Sequence, residues 1–135
     1  MKKQADILDY TIKLLNNKIY FINELYKKLL NKYDRKEVTN AIKELIRKDY
    51  INDKKAASIY LYNLINYKMY GKKYIYSFFD KKNISKKLID YLLLKYNDEL
   101  FSGNMMKIKK ELEKKGKTNK YIRNYLIRKG YEIDE

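Results

Sequence analysis

The chain has 135 residues, with 32 Lys and Arg against 17 Asp and Glu, a formal net charge of +15, and no Cys, His, Pro or Trp. The lack of Cys and His removes disulfides, zinc fingers, Cys or His nucleophiles and the Ser-His-Asp triad together. At 45% hydrophobic residues the sequence can still build a core, so its 36% charged content does not imply disorder.

The charge needs sorting before it is read as function. Only Arg35, Arg47, Arg123 and Arg128 are arginines, which leaves 28 lysines in a chain also crowded with Asn, Ile and Tyr. All four residue types have A/T-rich codons, so part of the lysine excess reflects base composition. Whatever its origin, a net charge of this size attracts nucleic acid or acidic protein surfaces.

Every long segment has helical rather than strand periodicity. Met1, Lys2 and Lys3 imitate the start of a signal peptide, but Asp6, Asp9 and Lys13 prevent an apolar run after them, and residues 4–17 read as a first helix. Residues 22–33 place Ile22, Leu25, Leu29 and Tyr33 on one face. Asp34, with Glu37 three residues on, opens a third helix, and Asn52-Asp53 opens a fourth that runs to about Tyr67. Tyr60 and Tyr67 are expected to share a face with Leu64 on that helix. Gly71 separates it from the next helix by acting as a helix stop. Ser85 caps a sixth, and Asn97 or Asp98 opens a seventh that ends near Lys115 at Gly116. Thr118 caps an eighth, which Gly130 ends. The longest apolar runs are four residues, far short of the roughly 20 needed to span a bilayer, so a cytoplasmic location is expected.

Three segments align without gaps: LYKKLLNKYD from Leu25, IYSFFDKKNI from Ile75 and IRNYLIRKGY from Ile122. Apolar residues coincide at Leu25, Ile75 and Ile122 and again at Leu29, Phe79 and Leu126, and Lys32, Lys82 and Lys129 share an offset. Spacings of fifty and forty-seven residues fit a three-helix repeat. The expected units are residues 1–51, 52–96 and 97–135, the third lacking its last helix.

These units resemble the RecX family, regulators of the RecA recombinase. In the first, NELYKKLLNKY followed by VTNAIKELIRKDYINDKKAA is similar to the family's Glu-Leu, basic helix, Ile/Val-x-x-Leu helix and Gly-Tyr-Leu-Asp-Asp, the last appearing as Asp49, Tyr50, Ile51, Asn52 and Asp53. In the second, Gly71, Ile75, Phe79, Lys82 and Ile84 stand at the positions of a basic segment with a glycine, a helix and a Lys-Gly-Ile turn. Asp49 and Asn83 replace usual glycines, Phe78 a usual acidic residue, Phe21 a usual serine, and Lys68, Lys72 and Lys73 stand among tyrosines where arginines are common. The resemblance covers about residues 14–130. It implies an all-α array of tandem three-helix repeats, elongated and curved, with the third truncated. It further implies a non-enzymatic, monomeric protein without cofactor that binds the RecA filament on single-stranded DNA and restrains ATP hydrolysis, strand exchange and filament growth.

The residues themselves point to a binder. Acidic-x-Lys patterns of the nuclease kind occur at Asp34, Asp53, Asp80 and Glu113, but three of the four fall at helix boundaries, where capping accounts for the acid. Gly71 between Lys68 and Lys72 lacks the glycine-rich run of a phosphate loop. Tyr60, Tyr62, Tyr67, Tyr70, Tyr74 and Tyr76 alternate with Lys68, Lys72 and Lys73, a composition suited to stacking on bases and gripping phosphates, or equally to half-buried helix faces. The partner-binding candidates are therefore Lys68, Tyr70, Lys72, Lys73, Lys81, Lys82, Lys120, Arg123 and Arg128, the last three also readable as a solvated helix face. Two other functions fit the same residues: a general nucleic-acid-binding helical protein, and a protein-interaction scaffold without nucleic acid.

Overall fold

Short polar side chains decide where the helices begin. The computed structural model describes residues 2–133, with side chains from residue 6, and among these it contains eight helices and no strand. They are α1 Lys2–Asn17, α2 Ile22–Leu30, α3 Arg35–Arg47, α4 Asp53–Asn66, α5 Lys72–Lys81, α6 Lys86–Leu93, α7 Asp98–Lys114 and α8 Asn119–Arg128. Met1, Asp134 and Glu135 lie outside the described residues, as do the side chains of Lys2 and Lys3. Asp34 accepts from the Glu37 amide at 2.9 Å, Asn52 from Lys55 at 3.1 Å, Ser85 from Leu88 at 3.2 Å, Asn97 from Leu100 at 2.9 Å and Thr118 from Tyr121 at 3.1 Å. Each bond satisfies an amide that has no partner inside its own helix, and such a cap is worth about 1 kcal/mol.

Helix α2 lacks a polar cap because Phe21 stands at that position and is fully buried. Its first amides find carboxylates instead. Phe21 N donates to Glu24 Oε1 at 3.1 Å, and Ile22 N donates to Asp53 Oδ1 at 2.8 Å. A core aromatic thus stands at the N-cap position, with Asp53 of α4 taking part of the capping role.

Four helices end through a left-handed residue: Asp49 (φ 61°), Asn83 (φ 61°), Gly116 (φ 78°) and Gly130 (φ 97°). In each case the next amide donates back five residues, as in Ile84 N to Phe79 O at 2.9 Å and Tyr131 N to Leu126 O at 3.1 Å. Helix α4 departs from the sequence expectation. Its left-handed residue is Met69 (φ 56°), while Gly71 is extended (φ −81°, ψ 170°) and opens α5. Gly71 separates the two helices, but it does so as an N-cap and not as a left-handed stop.

The chain divides into two compact units, Met1–Ala57 and Ser58–Glu135. In the first, α1 and α2 both pack on α3. Their core is Ile7, Leu25, Leu29, Val38, Ala41, Ile42, Leu45 and Ile51, and each of the larger side chains contributes roughly 1.5–3 kcal/mol by leaving water. In the second, α5 packs on α6 and α7 on α8, burying Ile75, Phe79, Ile89, Leu92, Ile122 and Leu126. Buried Asn104 donates to Ile65 O at 2.9 Å, satisfying a carbonyl in the last turn of α4.

The aligned positions have matching environments. Leu25, Ile75 and Ile122 are buried, as are Leu29, Phe79 and Leu126. The shared lysine also repeats a contact: Lys32 Nζ lies 4.3 Å from the Tyr10 ring centroid, Lys82 Nζ 5.9 Å from Phe78 and Lys129 Nζ 4.4 Å from Tyr70. Tyr26 hydrogen-bonds Thr39 at 3.3 Å, and Tyr76, fifty residues later, donates to Asp90, so α2 is tied to α3 as α5 is tied to α6.

Candidate functional site

The segment singled out by its tyrosines and lysines is built around a contact between two glycines. Gly71 N donates to Lys129 O at 2.8 Å, and Lys73 N donates to Gly130 O at 3.1 Å. A Cβ on Gly71 would lie 2.4 Å from Gly130 O, and one on Gly130 would lie 2.4 Å from Tyr74 N. Two backbones touch here, which only residues without a Cβ permit. Around this contact Tyr131 donates its hydroxyl to Met69 O at 2.6 Å and Lys129 Nζ donates to Lys68 O at 2.5 Å. The start of α5 and the end of α8 are therefore fastened by main chain and by two side chains.

This contact brings Lys68, Tyr70, Lys72 and Lys73 together with the chain at Lys129 and Gly130. Most of these groups are already engaged. Tyr70 stacks on Tyr74 with centroids 3.6 Å apart and planes 7° apart, and Lys129 lies over its ring. Stacking at that distance fills one face of the Tyr70 ring. The hydrogen bond with Tyr74, then burial, raises its phenol above the ordinary range. Lys72 pairs with Asp98 at 2.7 Å and Lys73 with Glu132 at 3.8 Å, and the Lys72 bond holds the Asp98 carboxyl below its ordinary range. Both lysines line an open groove of about 420 Å³ beside Phe101 and Tyr131.

The remaining candidates lie elsewhere. Lys81 and Lys82 close α5, about 15 Å along the helix from Gly71. Lys120 and Arg123 are on the exposed side of α8, whose buried side carries Ile122 and Leu126. Arg128 is exposed at its end. Among the other tyrosines, Tyr67 lies one residue beyond α4, with its amide still donating to Asn63 O at 3.1 Å. It is 72% exposed and meets Tyr62 edge-on at 5.9 Å, while Tyr60 packs on Phe78 at 5.6 Å. Two of the acidic-x-Lys patterns resolve into structure, with Asp34 capping α3 and Asp53 holding Ile22.

A second basic surface was not singled out from the sequence. Lys107, Lys110, Lys114 and Lys115 border an open groove of about 450 Å³ along α7. Its signal is present but local: seven lysines against two glutamates between residues 107 and 120. In a chain with lysine everywhere, that density does not stand out.

No protein-family profile and no curated protein matches this sequence. Solved structures do match. RecX from Lactobacillus salivarius superposes with a TM-score of 0.82 at 22% identity, over 97% of this chain and 90% of that one. A crystal structure of a regulatory protein RecX gives 0.80 at 20% identity, over 96% of this chain and 68% of that one. The fold is that of the RecX proteins. Sequence departures from the RecX pattern then acquire reasons: Asp49 and Asn83 stand at left-handed corners, Phe21 enters the core, and Phe78 packs on Tyr60 and lies near Lys82. Among the described residues, no helix of this RecX fold is long and apolar enough to cross a membrane.

Proposed function

We propose that this chain is a RecX-type regulator that binds the RecA filament on single-stranded DNA and restrains its ATP hydrolysis, strand exchange and growth. The observation that carries the reading is the match to RecX structures over 96–97% of the chain. Residues 1–51, 52–96 and 97–135 act in this reading as three successive repeats. The protein works by occupancy, without catalysis, as a monomer in the cytoplasm. Lys68, Tyr70, Lys72, Lys73, Lys81, Lys82, Lys120, Arg123 and Arg128 are the proposed contacts, with a net charge of +15 drawing the protein toward acidic filament surface and phosphates.

The test is RecA ATP hydrolysis on single-stranded DNA, titrated with this protein. Inhibition that saturates near filament stoichiometry is expected, and undiminished hydrolysis at excess protein rejects the proposal. Binding to bare DNA is measured alongside. A general nucleic-acid binder would grip bare DNA as tightly as the filament, with a log–log salt slope of about −0.7 per phosphate neutralised. Reversal of Lys68, Lys72 and Lys73 to Glu should weaken filament binding about tenfold more than reversal of Lys2 and Lys3. Equal losses would leave only bulk charge.

A further inference from the structure

The groove along α7 differs in kind from the Gly71 corner. At the corner, Lys72 and Lys73 are paired with carboxylates and Lys129 is held by a carbonyl and a ring. Among the described residues, the ammonium groups of Lys107, Lys110, Lys114 and Lys115 have no ion pair or hydrogen bond, and all four side chains are exposed. The groove floor is carbon: Leu112 is buried, and Met69, Ile108 and Tyr125 are half-buried. Glu111 is the one acidic residue on its edge.

We propose that this groove is a docking site for an amphipathic, acidic helical segment of a partner protein. Lys107, Lys110 and Lys114 are spaced by three and four residues, which keeps them on one side of α7 over about 10 Å. A second helix lying alongside presents side chains with the same period, so carboxylates spaced by three or four can meet all three ammoniums while its apolar stripe covers Ile108, Leu112 and Met69. Methionine suits such a floor because its flexible thioether adapts to the shape laid on it. A single strand of nucleic acid fits less well. It draws on aromatic platforms, and this floor has one aromatic, Tyr125, with no arginine to form a fork on phosphate. The site is separate from the RecA-filament reading and does not depend on it.

The experiment uses the full chain and a labelled synthetic peptide of about sixteen residues, long enough for helix to form, with leucines at i, i+4, i+7 and i+11 and glutamates between. Fluorescence anisotropy gives affinity, and amide shifts in a heteronuclear correlation spectrum give location. Binding that weakens with salt, with shifts concentrated at Met69, Ile108, Leu112 and Tyr125, is expected. The triple change Lys107→Glu, Lys110→Glu and Lys114→Glu should reduce affinity at least about tenfold while circular dichroism stays unchanged, since these side chains are exposed. No shift at millimolar peptide overturns the proposal. So does equal binding of a peptide with serines in place of the leucines, which would show charge alone. An oligo-dT that shifts the same amides and displaces the peptide would assign the groove to nucleic acid instead.

Discussion

Asn83 and Gly130 close two corners of the same design with different residues. Each is left-handed, and each is followed by an amide that donates five residues back, Ile84 to Phe79 and Tyr131 to Leu126, at 2.9 and 3.1 Å. They differ in what lies outside the turn. Asn83 is exposed, while Gly130 is buried with the Tyr74 backbone in the place of its missing side chain. A left-handed backbone alone can be met by Asn or Asp, whose short polar side chains tolerate that conformation. A touching backbone admits only glycine. The chain has Asp and Asn at positions 49 and 83 and glycine at 71 and 130, which separates a preference of dihedral angle from a demand for space.

The largest break in this comparison comes from adding one methyl group at the crowded corner. Gly130→Ala places a Cβ 2.4 Å from Tyr74 N in a residue at φ 97°, so the clash and the dihedral penalty add. A loss of about 3 kcal/mol or more is expected in denaturant unfolding. Gly71→Ala meets Gly130 O at 2.4 Å but at an ordinary φ of −81°, and should lose about 1–3 kcal/mol. Equal losses at both positions would show that crowding alone matters, and a neutral Gly71→Ala would show that the two backbones part easily.

A titration tests the same corner more gently. Burial pushes the Tyr131 phenol up to about 12 from an ordinary 10, and its hydroxyl donates to Met69 O. Because the folded value is the higher one, its contribution is complete below pH 10 and disappears as pH rises toward 12. Tyr76, raised to about 12 by burial and by Asp90, loses its contribution over the same window. Tyr131→Phe should lower stability at neutral pH by about 1 kcal/mol and flatten the alkaline fall that remains. Phenolate absorbance followed with unfolding checks both. An alkaline fall identical in wild type and variant would remove Tyr131 from the fastening.

The helix starts were legible because a cap is local: Asp34, Ser85, Asn97 and Thr118 each bond an amide three residues on. The repeat was legible in part, since its buried positions recur with the sequence offset. Gly71 was legible as a boundary but not in its cause, because the atom that demands glycine belongs to Gly130, far along the chain. Tyr70 shows the same limit. Its neighbours Lys68 and Lys72 suggest an open platform, while Tyr74 stacks on its ring from α5 and Lys129 is recognised as its neighbour only once α8 is in place. Lysines 107 to 115 were hidden by abundance. What distinguishes Lys107, Lys110, Lys114 and Lys115 is the groove they border together, a property of the fold and not of composition.

The smallest changes are expected at the open corners, where they sharpen the contrast by opposing two terms. Asn83→Gly removes a left-handed penalty of about 1 kcal/mol and adds about 0.5–1 kcal/mol of unfolded-chain freedom, so a gain of a few tenths is expected. Asp49→Gly has the same backbone balance at the same φ of 61°. It also deletes a carboxylate that accepts from Asn52 Nδ2 at 3.2 Å and pairs with Lys55, bonds that hold the Asp49 carboxyl below its ordinary range. Asn52 and Lys55 sit at the start of α4, where Asn52 already caps Lys55 N. The Asp49–Lys55 pair is exposed and screened by water, so its loss is small, and Asp49→Gly should come out near neutral and below Asn83→Gly. In acid the two variants should converge: a carboxylate with a lowered folded value stabilises above its unfolded value and stops doing so as pH falls through the folded one. Paired urea melts at neutral and acidic pH measure the difference. A gap that persists in acid would place the advantage of Asn83→Gly in the backbone alone and leave the Asp49 carboxylate without effect.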